Sequence, residues 1–202
     1  MIEDHPTKEI LINSAVDLIQ TKGWPNVTSD LVLEASRVSK GSMYYHFKDF
    51  HELIEVAQVR IYDHTAAETI AELNTAFENS ETKADFFSKI PQIMYGKVEP
   101  QLNESRLAQA EVVALALASP RMHEHVGEVQ SRINSALVEL LTRAQKRGWA
   151  NPELDPLAMA MFLQAYNFGS VIDLLSESRV EISAWIRLVN LVLDEVLLNG
   201  EG

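Results

Sequence analysis

Apolar residues recur at intervals of three and four along almost the whole chain. No stretch alternates with period two between hairpin dipeptides, so the pattern predicts an all-α fold. Leu11, Ala15, Leu18 and Ile19 form a first stripe that stops at Gly23, where a left-handed terminal residue costs glycine little. Thr28 is placed to cap a second, short helix to about Ala35, and Ser39 a third to about Tyr45. Asp49 and Glu52 precede Leu53, Ile54, Val56, Ala57 and Ile61 in a capping-box pattern that predicts a long helix to about Phe77. Thr82 with Asp85, Pro100, Ser119-Pro120 and Asp155-Pro156 mark further helix starts, because proline in the first turn loses no needed N–H. Gly148 closes the helix bearing Val126, Val129, Ile133, Leu137, Leu140 and Ala144. About nine helices are expected: three short ones, a connecting helix and five longer ones. There is no internal repeat, low-complexity tract or flexible linker.

Composition narrows this. The 202 residues suffice for a proper core, and 47% hydrophobic with 23% charged residues is ordinary globular composition, which excludes a disordered or fibrous chain. The absence of cysteine excludes disulfides, thiol catalysis and thiolate metal sites. The acidic start, Met1 to Pro6, leads into no apolar signal region, and no apolar run approaches the ~20 residues of a membrane span. A soluble cytoplasmic protein is expected.

The informative stretch is residues 28–53, TSDLVLEASRVSKGSMYYHFKDFHEL. Two short helices joined by Ser36-Arg37-Val38 match the helix-turn-helix layout, whose second helix enters the major groove of DNA. Ser39 to Phe47 concentrates small hydroxyls, a lysine, two tyrosines and a histidine, groups that reach phosphates or base edges. Gly41 removes a side chain where backbone must approach the duplex.

Gly23, Thr28-Ser29, Ala35 to Ser39, Ser42-Met43-Tyr44-Tyr45-His46-Phe47 and then Leu53 together resemble the N-terminal pattern of the TetR family of transcriptional regulators, over about residues 7–60. The resemblance implies a three-helix helix-turn-helix DNA-binding domain at residues 1–48. A ligand-binding and dimerisation domain would follow at 49–202, the connecting helix leading into a larger helical bundle. It implies that Thr28 and Ser29 touch phosphate at a helix N-terminus, where free N–H groups and the dipole favour an anion. Lys40, Gly41, Ser42 and Tyr45 would face the groove, with Ser39 at its edge, while Tyr44 and His46 hold the DNA backbone and Met43 and Phe47 pack inward. The competing reading of the two tyrosines is that they fill the three-helix core.

Two positions depart from the family pattern. Arg37 stands where glycine is usual in the turn, and arginine in a left-handed conformation costs on the order of 1 kcal/mol. The cost is tolerable if Arg37 meets a phosphate. Phe50 stands where a phosphate-contacting lysine is usual, and Lys48 is the candidate replacement. Net charge is −12 overall and −3 over residues 1–60, little for a surface that meets DNA. Binding is therefore expected to lean on helix ends and neutral donors, with a modest salt dependence.

After Asp155-Pro156, one stripe carries Leu157, Met161, Ala165, Phe168, Ile172 and Leu175, and the last helix carries Ile182, Trp185, Val189, Val192 and Val196. This is more apolar surface than one small core requires. By the resemblance, these helices pair across a two-fold axis as a homodimer, with Gly169 allowing close backbone approach. Two-fold symmetry suits a near-palindromic double-stranded DNA operator.

The resemblance also implies a pocket for a small-molecule inducer, with Gln92, Tyr95, Glu111, Met122, Gln164 and Asn167 as candidate ligand-binding residues. An uncompensated Glu111 in such a cavity would favour a cationic or amine-bearing ligand. The function read from all this is a ligand-responsive repressor. The alternative is a helical homodimer whose helix-turn-helix is vestigial and which acts through protein or small-molecule binding.

No enzyme class fits. The chain has no G-x-S-x-G elbow, P-loop or dinucleotide-binding turn, and no catalytic residues or cofactor are assigned. His123, Glu124, His125 and Glu128 form the only imidazole–carboxylate cluster. His123 and His125 point to different helix faces, so a solvated surface is the better reading and no metal is expected.

Overall fold

The computed structural model describes residues 5–95 and 101–193. Its helices are α1 (Pro6–Lys22), α2 (Ser29–Ser36), α3 (Lys40–His46), α4 (Phe50–Glu78), α5 (Lys83–Tyr95), α6 (Gln101–Ala118), α7 (Pro120–Lys146), α8 (Pro156–Gly169) and α9 (Ile182–Val192). Short 3-10 turns follow α1 (Trp24–Asn26) and α8 (Ser170–Leu175). No strand occurs among the described residues.

The caps lie where the local signals put them. Gly23 ends α1 at φ 74°, Thr28 Oγ1 accepts from Leu31 N–H, and Ser39 Oγ accepts from Ser42 N–H. At α4, Asp49 Oδ1 accepts from Glu52 N–H at 2.8 Å. The reciprocal arm differs from a capping box, because Glu52 Oε2 accepts from the backbone N–H of Lys48 at 2.6 Å rather than that of Asp49. Pro120 is the first residue of α7 behind its Ser119 cap, and Asp155 Oδ1 accepts from Ala158 N–H to cap α8. The expected start at Pro100 lies outside the described residues.

The long helix α4 is the spine of the molecule and takes part in three cores. Its first turns give Leu53, Ile54 and Ala57 to a cluster with Leu11, Ile12 and Ala15 of α1, Val32 of α2, and Met43 and Phe47 from α3 and its exit. Its middle gives Tyr62 to a cluster with Val112 and Ala116 of α6 and Met122, Val126, Val129 and Ile133 of α7. Its end gives Leu73, Ala76 and Phe77 to a third, with Phe86, Leu140, Ala144, Ala150 and Met159. There Phe77, Phe86 and Trp149 pack with ring centroids 5.2–6.0 Å apart. The guanidinium of Arg147 lies 4.2 Å from the Phe77 ring centroid and donates to the Phe77 carbonyl, satisfying a helix-end acceptor.

One sequence expectation is corrected. The helical run Pro156–Leu175 is 20 residues long with hydropathy 1.2, long and apolar enough by length and composition to cross a membrane. Its Met159 and Ala160 are buried in the protein and Gln164 is hydrogen-bonded to α7, so it packs as a helix of the bundle. The apolar rule missed it because Gln164, Asn167 and Asp173 break the run in sequence without ending the helical stretch.

Candidate nucleic-acid interface and ligand cavity

The second and third helices are held by side chains that point one way and expose those that point the other. Met43 is fully buried and Phe47 nearly so, whereas Tyr45 is 81% exposed and Tyr44 49% exposed. The tyrosines therefore do not fill the core. Thr28, Arg37, Ser39, Lys40, Gly41 and Lys48 are exposed, and Ser29, Ser42 and His46 are partly so. Nothing but Ser39 Oγ, 4.0 Å away, would meet a Cβ at Gly41, so no contact within the chain calls for glycine there. Arg37 adopts φ 55°, ψ 26°, the left-handed conformation expected of the turn, and is the one non-glycine residue at positive φ among the described residues.

The His46 ring lies 4.7 Å from that of His5 and 5.0 Å from that of Tyr45. Burial, and after it the neighbouring His5 and Lys8, holds its pKa below the usual histidine value. Of the basic residues before position 61, Arg60 is turned inward. It holds the Glu9 carboxylate at 2.6 and 3.0 Å and pins α1 to α4, and that contact lowers the pKa of Glu9. Arg37, Lys40 and Lys48 remain as exposed cations of the α2–α3 face, with the exposed acids Asp30 and Glu34 on α2.

This unit is tied to the rest of the chain by residues the sequence reading did not single out. Arg121, at the start of α7, bonds to Glu55, a carboxylate only 7% exposed, and lies 3.9 Å from Glu52. Because Glu52 also holds Lys48 N–H, α7 is linked through one carboxylate to the exit of α3. On the other side, Trp24 Nε1 donates to Glu111 Oε2 of α6 at 2.9 Å.

Between α4, α5, α6, α7, α8 and α9 lies a cavity of about 430 Å³. Its walls are chiefly Ile70, Leu73, Phe86, Phe87, Ile90, Leu137, Leu140, Met159 and Leu163. Tyr62 and Gln164 bring polar atoms to it, and Tyr62 OH donates to Gln130 Oε1 at 2.8 Å. Gln130 Nε2 in turn donates to Gln164 Oε1 and to Asn134 Oδ1, which also accepts from Gln164 Nε2. Burial raises the Tyr62 pKa, so at neutral pH this amide–phenol network is uncharged. Such a greasy chamber with a few fixed polar groups is suited to orienting a small organic molecule.

Of the candidate ligand residues, Gln164 lines the cavity. Met122 does not, being packed at 1% exposure from α7 into the cluster with Tyr62 of α4 and Val112 and Ala116 of α6. Glu111 does not either; it lines an adjoining groove and accepts from Trp24. Both were expected in the cavity because an apolar run with one odd residue does not say which helix it faces. The side chains of Gln92, Tyr95 and Asn167 lie outside the described residues, as does Val196. Arg106 and Gln109, which line the cavity, were missed, as were Gln130 and Asn134, which hold the lining residues Tyr62 and Gln164. The spacing of Gln130 and Asn134 by four, beside the Val129 and Ile133 stripe, was the available signal.

On the last helices, Leu157, Met161, Ala165, Gly169, Ile172 and Leu175 are exposed, Ile172 by 70% and Leu175 by 88%. Phe168, Trp185, Val189 and Val192 are half-buried, and Val189 lines the cavity from α9. The side chain of Ile182 is outside the described residues. Trp185 stacks on Tyr166 at 5.7 Å, and its Nε1 and the Tyr166 hydroxyl are buried without hydrogen-bond partners among the described residues. His123, Glu124, His125 and Glu128 are exposed on α7, and no group of three metal-binding side chains occurs among the described residues.

An all-helical chain with an outward-facing helix-turn-helix and a separate apolar chamber defines the class of helix-turn-helix regulators. Residues 11–57 match the family model of bacterial regulatory proteins, tetR family. The match covers the N-terminal helix-turn-helix region alone, and nearly the whole length of the chain has the fold of solved TetR-family regulators. A TetR-family transcriptional regulator from Rhodococcus sp. superposes with TM-score 0.66 at 22% identity, over 96% of this chain and 98% of that one. A transcriptional regulator from Saccharomonospora viridis, in complex with choline, gives TM-score 0.67 at 16% identity over 95% and 97%. The fatty acid degradation regulator FadR from Bacillus halodurans gives 0.63 at 16% over 98% of both chains. No curated protein sequence matches the chain.

Proposed function

We propose that the protein is a ligand-responsive transcriptional repressor acting in the cytoplasm as a homodimer on a near-palindromic operator, and that a small-molecule inducer releases it. The observation that carries this is the sorting of α3: Met43 and Phe47 anchor it while Lys40, Gly41, Tyr44 and Tyr45 face outward with no structural task. Thr28 and Ser29 at the α2 N-terminus, with Arg37, Tyr44, His46 and Lys48, would hold phosphates, while Ser39, Lys40, Gly41, Ser42 and Tyr45 would read the groove.

The exposed stripe of α8 supports a second copy packed on the last helices. The cavity supports the inducer, and the choline held by the Saccharomonospora viridis regulator shows a protein of this fold carrying a small organic ligand. Ligand would act by favouring an orientation of the two helix-turn-helix units that no longer matches the half-sites, which requires differential affinity for the two states.

A gel shift with the DNA upstream of the protein's own coding region tests the reading. A shift that Lys40→Ala and Tyr45→Ala weaken, with folding and dimerisation retained, supports it. No shift under any salt condition favours the vestigial reading, for which the acidic balance of residues 1–60 speaks.

A further inference from the structure

The apolar cavity adjoins a groove of about 800 Å³ that runs between the helix-turn-helix unit and α6, and Tyr62, Thr65, Glu68 and Gln109 line both hollows. The opposite wall of the groove is the end of α1 and the turn after it, including Lys22 and Trp24. Glu111 faces this groove, and its one hydrogen bond among the described residues comes from the neutral indole N–H of Trp24. A carboxylate with a neutral partner keeps unused acceptor capacity, and an indole ring beside it is the best aromatic surface for a cation.

The charges of the groove lean the same way. Glu68 and Glu111 stand against Lys22, with His64 3.4 Å from Glu68. The cavity half carries Glu72 and Arg106, and Arg106 already has an interaction of its own. A ligand lying across both hollows would bury its apolar part among the chiefly apolar cavity walls and leave its polar end at Glu111.

Resting on the reading of the cavity as an inducer site, we propose that the inducer is an alkylammonium amphiphile, with its chain in the cavity and its ammonium head between the Glu111 carboxylate and the Trp24 ring. The ammonium brings a full positive charge to a carboxylate whose present partner is a neutral donor, so the head pairs with Glu111 more strongly than the indole N–H does and competes with it. The Trp24 contact between the helix-turn-helix unit and α6 then opens. The same displacement that binds the head loosens one of the two ties of the helix-turn-helix unit, leaving the Arg121 link to Glu55 and Glu52 in place.

Calorimetric titration of the full chain with octylammonium, octanoate and 1-octanol, which share one tail, tests this at neutral pH. Octylammonium is expected to bind about tenfold tighter than the other two. Glu111→Gln, which keeps an oxygen for Trp24, is expected to erase that advantage and leave 1-octanol within about twofold. The indole emission should change on octylammonium binding, and Trp24→Phe should abolish the change. Equal binding of the three probes, tightest binding of octanoate, or an octylammonium preference that survives Glu111→Gln overturns the ammonium head while leaving the cavity reading intact. Binding of none of them overturns the inducer-site reading itself.

Discussion

The helix-turn-helix unit and the C-terminal bundle use similar apolar residues to opposite ends. In the first, Leu11, Ile12, Val32, Met43, Leu53 and Ala57 close a core around α3, and what remains outside is polar or aromatic. In the second, the helices leave a cavity of about 430 Å³ inside and an apolar stripe outside, from Leu157 to Leu175. A closed core makes a rigid unit. A core with a cavity and an uncovered apolar face makes a body with room for a ligand and surface for a partner, as the proposed function requires.

The sharpest way to break this contrast is Met43→Ala, which leaves a hole in the closed core. It should cost about 2–5 kcal/mol in a denaturant titration and abolish DNA binding by loss of fold. An effect under about 1 kcal/mol would mean that the unit is as loosely packed as the bundle. Met161→Arg places an uncompensated charge on the exposed stripe. It should weaken dimerisation by about 3 kcal/mol or more, seen as monomer in sedimentation, with the protomer's helicity unchanged. A dimer that persists would put the two-fold contact elsewhere.

Lys40→Ala and Tyr45→Ala touch neither core. Each should weaken operator binding by about 1–3 kcal/mol and shift stability by no more than about 0.5 kcal/mol. Arg37→Gly should act with opposite signs on the two properties. Relief of the left-handed turn should raise stability by about 0.5–1 kcal/mol, and loss of a phosphate contact should reduce the salt slope of binding by about one.

The smallest effect is in pH. The backbone N–H of Glu52 holds the pKa of Asp49 below the usual carboxylate value, and Arg60 does the same for Glu9. A lowered folded-state pKa gives stability that is present above the unfolded value and lost as pH falls through the folded one. The unit should therefore lose melting temperature as pH drops below about 4, and Glu9→Gln should blunt that loss.

Much of the helix-turn-helix geometry was legible because its signals are local. Thr28, Ser39 and Asp49 cap their own helices within three residues, Arg37 sits in the turn whose conformation its neighbours impose, and Met43 and Phe47 face inward because their spacing of four puts them on one side. The cavity was legible only as an expectation. Glu111 and Met122 were misplaced, and Arg121, Gln130 and Trp24 were overlooked, because each acts on a residue far along the chain.

The amino-acid order alone was enough for the all-α class, the helix ends and the direction each face of α3 takes, since capping and helical period act over three or four residues. The meeting of Trp24 with Glu111 across 87 positions, the link from Arg121 through Glu52 to the α3 exit, and the hollow between six helices belong to the assembled molecule. A gap between packed helices is a property of how they lie against one another, and no segment carries it by itself.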